Sequence, residues 1–368
     1  MRIPTALRVL VPLLGLSLSL RAEEAAKNVQ KPKPEIEVCF VLDTTGSMGG
    51  LIEGAKVKIW SIANSIVADK PVPHLKIALV AYRDRGDAYI TKVFDLTEDL
   101  DAVFKNIQSF KAEGGGDEPE SVNQALDDAV NKVGWSADRK VTKIIFLVGD
   151  APPHMDYQDD KKYPETCKEA VKKDLIINTI QCGSIGSTTT VWKEIAKMSE
   201  GSYVALPQEG GMVAVVTPVD GELAKINDAL NGTVVPYGSA ALQKEVAETV
   251  VAYGGYVFRK EAAGDSRFAS GLDATTRPAV APEAMASRLS VNAAAGRVIQ
   301  GRGDLLFDLK NGTVKLDAVK AEDLPEELKK MSADERAKWI EAQQTKREEL
   351  QKQLAELSKK REIGRAHV

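Results

Sequence analysis

Between residues 36 and 208 short β-branched runs alternate with segments of helical spacing, and few architectures accept that order. Residues 36–42, 75–82, 143–148 and 175–181 read as strands. The last two are almost continuously apolar, as a parallel sheet requires when helices cover both of its faces. Residues 89–94 follow their predecessor closely and suit an antiparallel edge hairpin. Helical spacing runs through about 51–68, 100–110, 120–133, 163–173 and 191–198. The alternation predicts an α/β fold with a doubly wound, mostly parallel sheet over residues 35–215. Such sheets place ligands beyond the carboxyl ends of their strands.

Four polar clusters stand where such a sheet would place a ligand, the third of them opening a helix. They are Asp43-Thr44-Thr45-Gly46-Ser47, Tyr82 to Asp87, Gly114-Gly115-Gly116-Asp117-Glu118-Pro119-Glu120, and Gly149-Asp150-Ala151-Pro152-Pro153-His154. A tight turn after the first strand aims one carboxylate and two hydroxyls at a single point, since alternate residues face the same side. Carboxylates and hydroxyls without thiolates or imidazoles are donors for a hard cation. With no ion, Asp43, Glu120 and Asp150 crowd like charges, at roughly 4 kcal/mol per pair for about 4 Å and an effective dielectric near 20. A divalent cation reverses that sign. His154 has no nucleophile beside it in the sequence and reads as structural.

Asp43-x-Thr45-x-Ser47 resembles the metal-ion-dependent adhesion site of von Willebrand factor type A domains, with threonine where serine is usual. Asp150 matches the family's later aspartate. Asp117-x-Pro119-Glu120 resembles the version of this fold in integrin β subunits. There the glutamate ligates the adhesion-site ion and the aspartate serves a neighbouring site. The resemblance implies a Mg²⁺-type ion, with Mn²⁺ or Ca²⁺ as alternatives, held by Asp43, Thr45, Ser47, Glu120 and Asp150. It implies a second ion at Asp117, joined by Asp84. Gly49 and Gly50 stand where integrin β subunits carry acidic residues, so the further site made by those is expected to be absent.

Outside this region the chain is less specific. Arg2, Arg8 and a short apolar run read as a signal peptide over residues 1–22, which places the protein in the periplasm or outside the cell, without a membrane span after cleavage. In that compartment Cys167 and Cys182, on a helix and the strand after it, can form a disulfide or remain buried thiols. A net charge of -4 gives no basic footprint for nucleic acid. Three histidines and three cysteines at scattered positions assemble no zinc spacing. Residues 216–262 read as a helical extension, and 263–300, rich in Ala, Ser, Gly, Thr and Pro, as a linker or loosely ordered segment. Residues 301–361 read as a charged helical region. In it Ser332-x-x-Glu335 opens a long helix, and Leu350, Leu354 and Leu357 form a stripe for docking or a short coiled coil. Residues 362–368 read as a sequencing-adapter artefact.

These expectations describe a non-enzymatic binding module. An Asp or Glu carboxylate of a protein partner would complete the ion's coordination. The alternatives are a scaffold that homo-oligomerises through its C-terminal helices, and a metal-dependent hydrolase.

Overall fold

A computed structural model describes residues 34–50, 52, 73–207, 218–253 and 282–365. The expected signal peptide, the segment 53–68 and the first half of the expected linker, residues 263–281, lie outside these residues. Six strands form one sheet: β1 (Glu35–Asp43), β2 (His74–Tyr82), β3 (Thr91–Thr97), β4 (Thr142–Gly149), β5 (Leu175–Cys182) and β6 (Tyr203–Leu206). Their order is β3-β2-β1-β4-β5-β6, with β3 antiparallel to β2 and every other pairing parallel. The doubly wound, mostly parallel α/β sheet is therefore present, with the antiparallel strand at its edge. Strand β6, four residues long and half exposed, has no counterpart among the strands the sequence predicts.

Strand alternation explains how both faces are filled. Val38, Phe40 and Leu42 of β1 face helix α1 (Leu100–Gln108), whereas Cys39 and Val41 point the other way. The second face is covered by α2 (Val122–Asn131), α3 (Tyr163–Lys172) and α4 (Gly186–Met198), whose Leu126, Cys167, Trp192 and Ile195 are fully buried. Burial on both sides makes β1, β2 and β4 apolar nearly throughout.

The sheet also separates Cys167 from Cys182. Cys167 packs under α3 on one face, and Cys182 belongs to the cluster on the opposite face. All three cysteines are free, which corrects the disulfide alternative: an intact hydrogen-bonded sheet stands between the two sulfurs. Burial pushes the thiols of Cys167 and Cys182 up to about 12. A reductant is therefore expected to leave the melting temperature unchanged. Thiol titration of the denatured, unreduced chain should return three reactive groups, and a count of one would restore the disulfide.

Beyond the sheet, α5 (Asp220–Asn231), α6 (Ala240–Tyr253), α7 (Pro282–Ala294), α8 (Leu305–Lys310) and α9 (Ala333–Arg365) form a helical extension. Helix α7 falls inside the expected linker, so residues 282–294 are a packed helix instead. Leu289 and Arg288 are almost fully buried, and an Ala-rich, Ser-rich segment orders because distant elements bury it. The capping box forms at the start of α9: the Ser332 amide and hydroxyl donate to Glu335 Oε2 at 2.9 and 2.7 Å, and the Glu335 amide donates back to Ser332 Oγ at 3.3 Å. Leu354 and Leu357 pack with Leu223, Leu230 and Leu289 of the same chain, and Leu350 lies against that cluster. The stripe thus docks on α5 and α7, as the docking alternative expects, and its buried leucines are taken up within the same chain. No helix among the described residues is long and apolar enough to cross a membrane.

Candidate metal centre

The strand order reverses between β1 and β4, which leave in opposite directions from the centre of the sheet. A crevice opens at such a point beyond the carboxyl ends. Asp43 is the last residue of β1, and Asp150 directly follows β4. Backbone bonds stitch the surrounding loops together. The Thr44 amide donates to Tyr82 O, Gly46 to Gly114 O, Glu113 to Thr44 O, Glu120 to Pro152 O and His154 to Glu120 O, all at 2.9–3.2 Å. All four polar clusters therefore meet in one place.

Asp43, Thr45, Glu120 and Asp150 are buried, while Ser47 stands at the exposed rim. Asp43 Oδ1 accepts the Thr45 amide at 2.9 Å and the Thr45 hydroxyl at 2.6 Å. Thr45 Oγ1 lies 3.4 Å from Ser47 Oγ, so the turn converges the three side chains as the sequence spacing requires. Asp43 Oδ2 and Glu120 Oε2 are buried and have no hydrogen-bond partner among the described residues. Burial pushes the Asp43 carboxyl up to about 7, with the Asp150 charge adding to it and the Thr45 bonds opposing. Burial also pushes Glu120 up to about 9, assisted by Asp43, Asp84, Asp87 and Asp150.

Two glycines keep space among these oxygens. A Cβ on Gly149 would lie 2.4 Å from the Tyr82 hydroxyl and 3.1 Å from Asp43 Oδ2. A Cβ on Gly115, whose φ is +81°, would lie 3.3 Å from Glu120 Oε1 and 3.6 Å from Thr45 Cβ. The arrangement is a buried cluster of carboxyl and hydroxyl oxygens at the switch point of the sheet.

A family profile described as the von Willebrand factor A domain matches residues 37–217. This part of the chain is a von Willebrand factor A domain. The mouse protein "von Willebrand factor A domain-containing protein 7" is 32% identical over 151 residues, 40% of this chain and 15% of that protein. The chain spans about 15% of the curated relatives it matches. Among solved structures, the SpRpn10 VWA domain aligns with 48% of this chain and 89% of its own at 14% identity and a TM-score of 0.36. Proximal thread matrix protein 1 from the mussel byssus, with a zinc-occupied MIDAS motif, aligns with 47% of this chain and 42% of its own at 18% identity and a TM-score of 0.36.

The donor chemistry of this von Willebrand factor A domain suits a divalent ion. Its donors are oxygens, two buried carboxylate atoms have no hydrogen-bond partner among the described residues, and glycine backbone leaves room beside them. Asp43, Thr45, Ser47, Glu120 and Asp150 are the residues able to hold the ion.

Three neighbours carry roles that the linear sequence did not reveal. Asp87 accepts the Asp84 amide at 3.1 Å and the Gly115 amide at 3.1 Å, pinning the β2–β3 loop to the glycine-rich loop. The Tyr82 hydroxyl is buried beside the acids, and its proton is held more tightly by burial and by the charges of Asp43, Glu120 and Asp150. His154 faces Asp84 and Asp117, the pair expected to hold a second ion: one ligand atom from each of the three lies within 4.8 Å of the others. Asp43 and Asp150 had strand ends to announce them, and Glu120 the start of a helix. His154 had none, because its partners sit 70 and 37 positions away.

Proposed function

We propose that this chain is an exported binding protein, located in the periplasm or outside the cell, and not an enzyme. Its von Willebrand factor A domain captures a protein partner through a Mg²⁺-type ion held by Asp43, Thr45, Ser47, Glu120 and Asp150. The bound ion supplies an electrophilic point for an Asp or Glu side chain of the partner. The chain's residues do the rest. Asp43 and Glu120 bring oxygens that accept no hydrogen bond among the described residues, and the stitched loops fix their positions before the ion arrives. Exposed Ser47 marks the open side, and Met155 and Ile90 expose apolar surface on the loops nearby. The observation that carries the reading is the pair of buried, unsatisfied carboxylate oxygens at the sheet's switch point.

The test is capture from a native extract with Mg²⁺ and with chelator, using the natural chain and Asp150→Ala. Retention of a partner should fall at least tenfold on chelation and equally in Asp150→Ala, since the two changes remove the same ion. Identical retention in all four arms would remove the proposal.

A further inference from the structure

We infer that Asp84, Asp117 and His154 form a second divalent-cation site, separate from the oxygen-only site beside it, that selects a borderline transition metal such as Zn²⁺. Sequence resemblance pointed to Asp117 and Asp84 alone and therefore to a hard ion. The imidazole changes the class of cation, because nitrogen donors favour the later first-row metals over Mg²⁺ and Ca²⁺.

His154 is 5% exposed. Its Nε2 makes no hydrogen bond among the described residues, although it lies 3.4 Å from Asp84 Oδ2 and 3.8 Å from Asp117 Oδ2. The ring nitrogen therefore sits among carboxylates without meeting either in hydrogen-bond geometry. For bonds of about 2.0–2.1 Å, ligand atoms at adjacent corners of a tetrahedron are about 3.4 Å apart. The first separation matches that edge, and the second exceeds it by about 0.4 Å.

The surroundings of the three donors support ligation over a plain His–Asp ion pair. His154 Nδ1 lies 2.8 Å from Asp156 Oδ1. That contact puts the ring proton on Nδ1 and leaves the Nε2 lone pair for a metal, the usual carboxylate–histidine arrangement behind a bound cation. Asp84 is held as well: Oδ1 accepts the Ser121 hydroxyl at 2.9 Å and Oδ2 accepts the Tyr157 hydroxyl at 3.0 Å. Tyr157 in turn stacks on the His154 ring, with centroids 4.0 Å apart. Only Asp117 is exposed, on the solvent side, where a water can complete four-coordination. An ion here would join three loops, and it would anchor the segment that ends in Glu120.

Cobalt(II) is the probe, because its visible absorption reports nitrogen–oxygen coordination and Zn²⁺ competes for the same donors. It is titrated into the full chain with excess Mg²⁺ present, so that the oxygen-only site is filled. One Co²⁺ per chain should bind, be displaced by Zn²⁺, and give the same spectrum in Asp43→Ala. Asp117→Asn, at an exposed position that does not threaten folding, should weaken binding at least tenfold, and His154→Gln should abolish the band. Asp156→Asn should weaken binding about 10–100-fold, the usual effect of losing the group behind a ligating histidine. The inference is overturned if no Co²⁺ binds under these conditions. It is equally overturned if the signal survives both Asp117→Asn and His154→Gln, or if it disappears in Asp43→Ala alone. The last result would assign all metal binding to the first site and leave the partner-binding reading standing.

Discussion

Adding Mg²⁺ to chelated protein is expected to raise its melting temperature, and the gain should grow as the pH rises. At a hundredfold excess over the dissociation constant, binding to the native state alone contributes about 2.7 kcal/mol. For a domain of this size that corresponds to about 5–10 °C. The pH dependence follows from Asp43 and Glu120, whose carboxyls are pushed up to about 7 and about 9, chiefly by burial. In the unfolded chain such groups titrate near 4. Between that value and about 9 the ion-free native state therefore binds more protons than the unfolded state. Its stability must fall as the pH rises through this window. A cation expels the same protons, so metal competes poorly at about pH 5 and well above about pH 8. Calorimetric scans with and without Mg²⁺ across this range test both halves of the argument. A shift that shrinks as the pH rises, or no shift with Mg²⁺, Mn²⁺ or Ca²⁺, would mean that these oxygens do not hold an ion.

The parts of this fold that were legible are those whose burial is decided locally. The apolar run 36–42 predicts a strand and β1 spans Glu35–Asp43, because a strand buried on both faces must be apolar at nearly every position. Asp43 and Asp150 were visible for the complementary reason: each is an acid that interrupts an apolar run at the end of a central strand. Helix α7 was not visible. Its segment is compositionally a linker, and the partners that bury Arg288 and Leu289 come from α1, α5 and the residues near Val298. Cys167 and Cys182 are 15 residues apart, and only the parity of β5 decides that they face opposite sides of the sheet. His154 was readable as a lone histidine and nothing more, since the loop geometry that brings Asp84 and Asp117 to it is tertiary.

The junction between the helical extension and the von Willebrand factor A domain leads to the second large effect. Replacing Arg288 by alanine should lower the stability of the whole chain by about 3–5 kcal/mol. Arg288 reaches out of α7, buried to 1% exposure, and grips Asp101 in the first turn of α1 with Nε and Nη2 at 2.7 and 2.9 Å. Asp101 Oδ2 also accepts the Gln300 amide at 3.1 Å, and the Tyr253 hydroxyl donates to Asp101 O at 3.3 Å. The guanidinium lies 3.8 Å from the centre of the Tyr253 ring, which itself packs on Phe104 of α1 at 5.8 Å. Truncating Arg288 strands a carboxylate at 3% exposure with its charge uncompensated, and that residual charge accounts for most of the loss. Removing both charges should therefore be far milder than removing one. The pair Arg288→Met with Asp101→Leu is expected to recover most of the lost stability, since apolar groups of similar volume bring no desolvation cost. Urea unfolding of the natural chain, the single variants and the double variant closes the cycle. If the single variant costs less than about 1 kcal/mol, the pair is solvated in the protein and the extension is not fastened there.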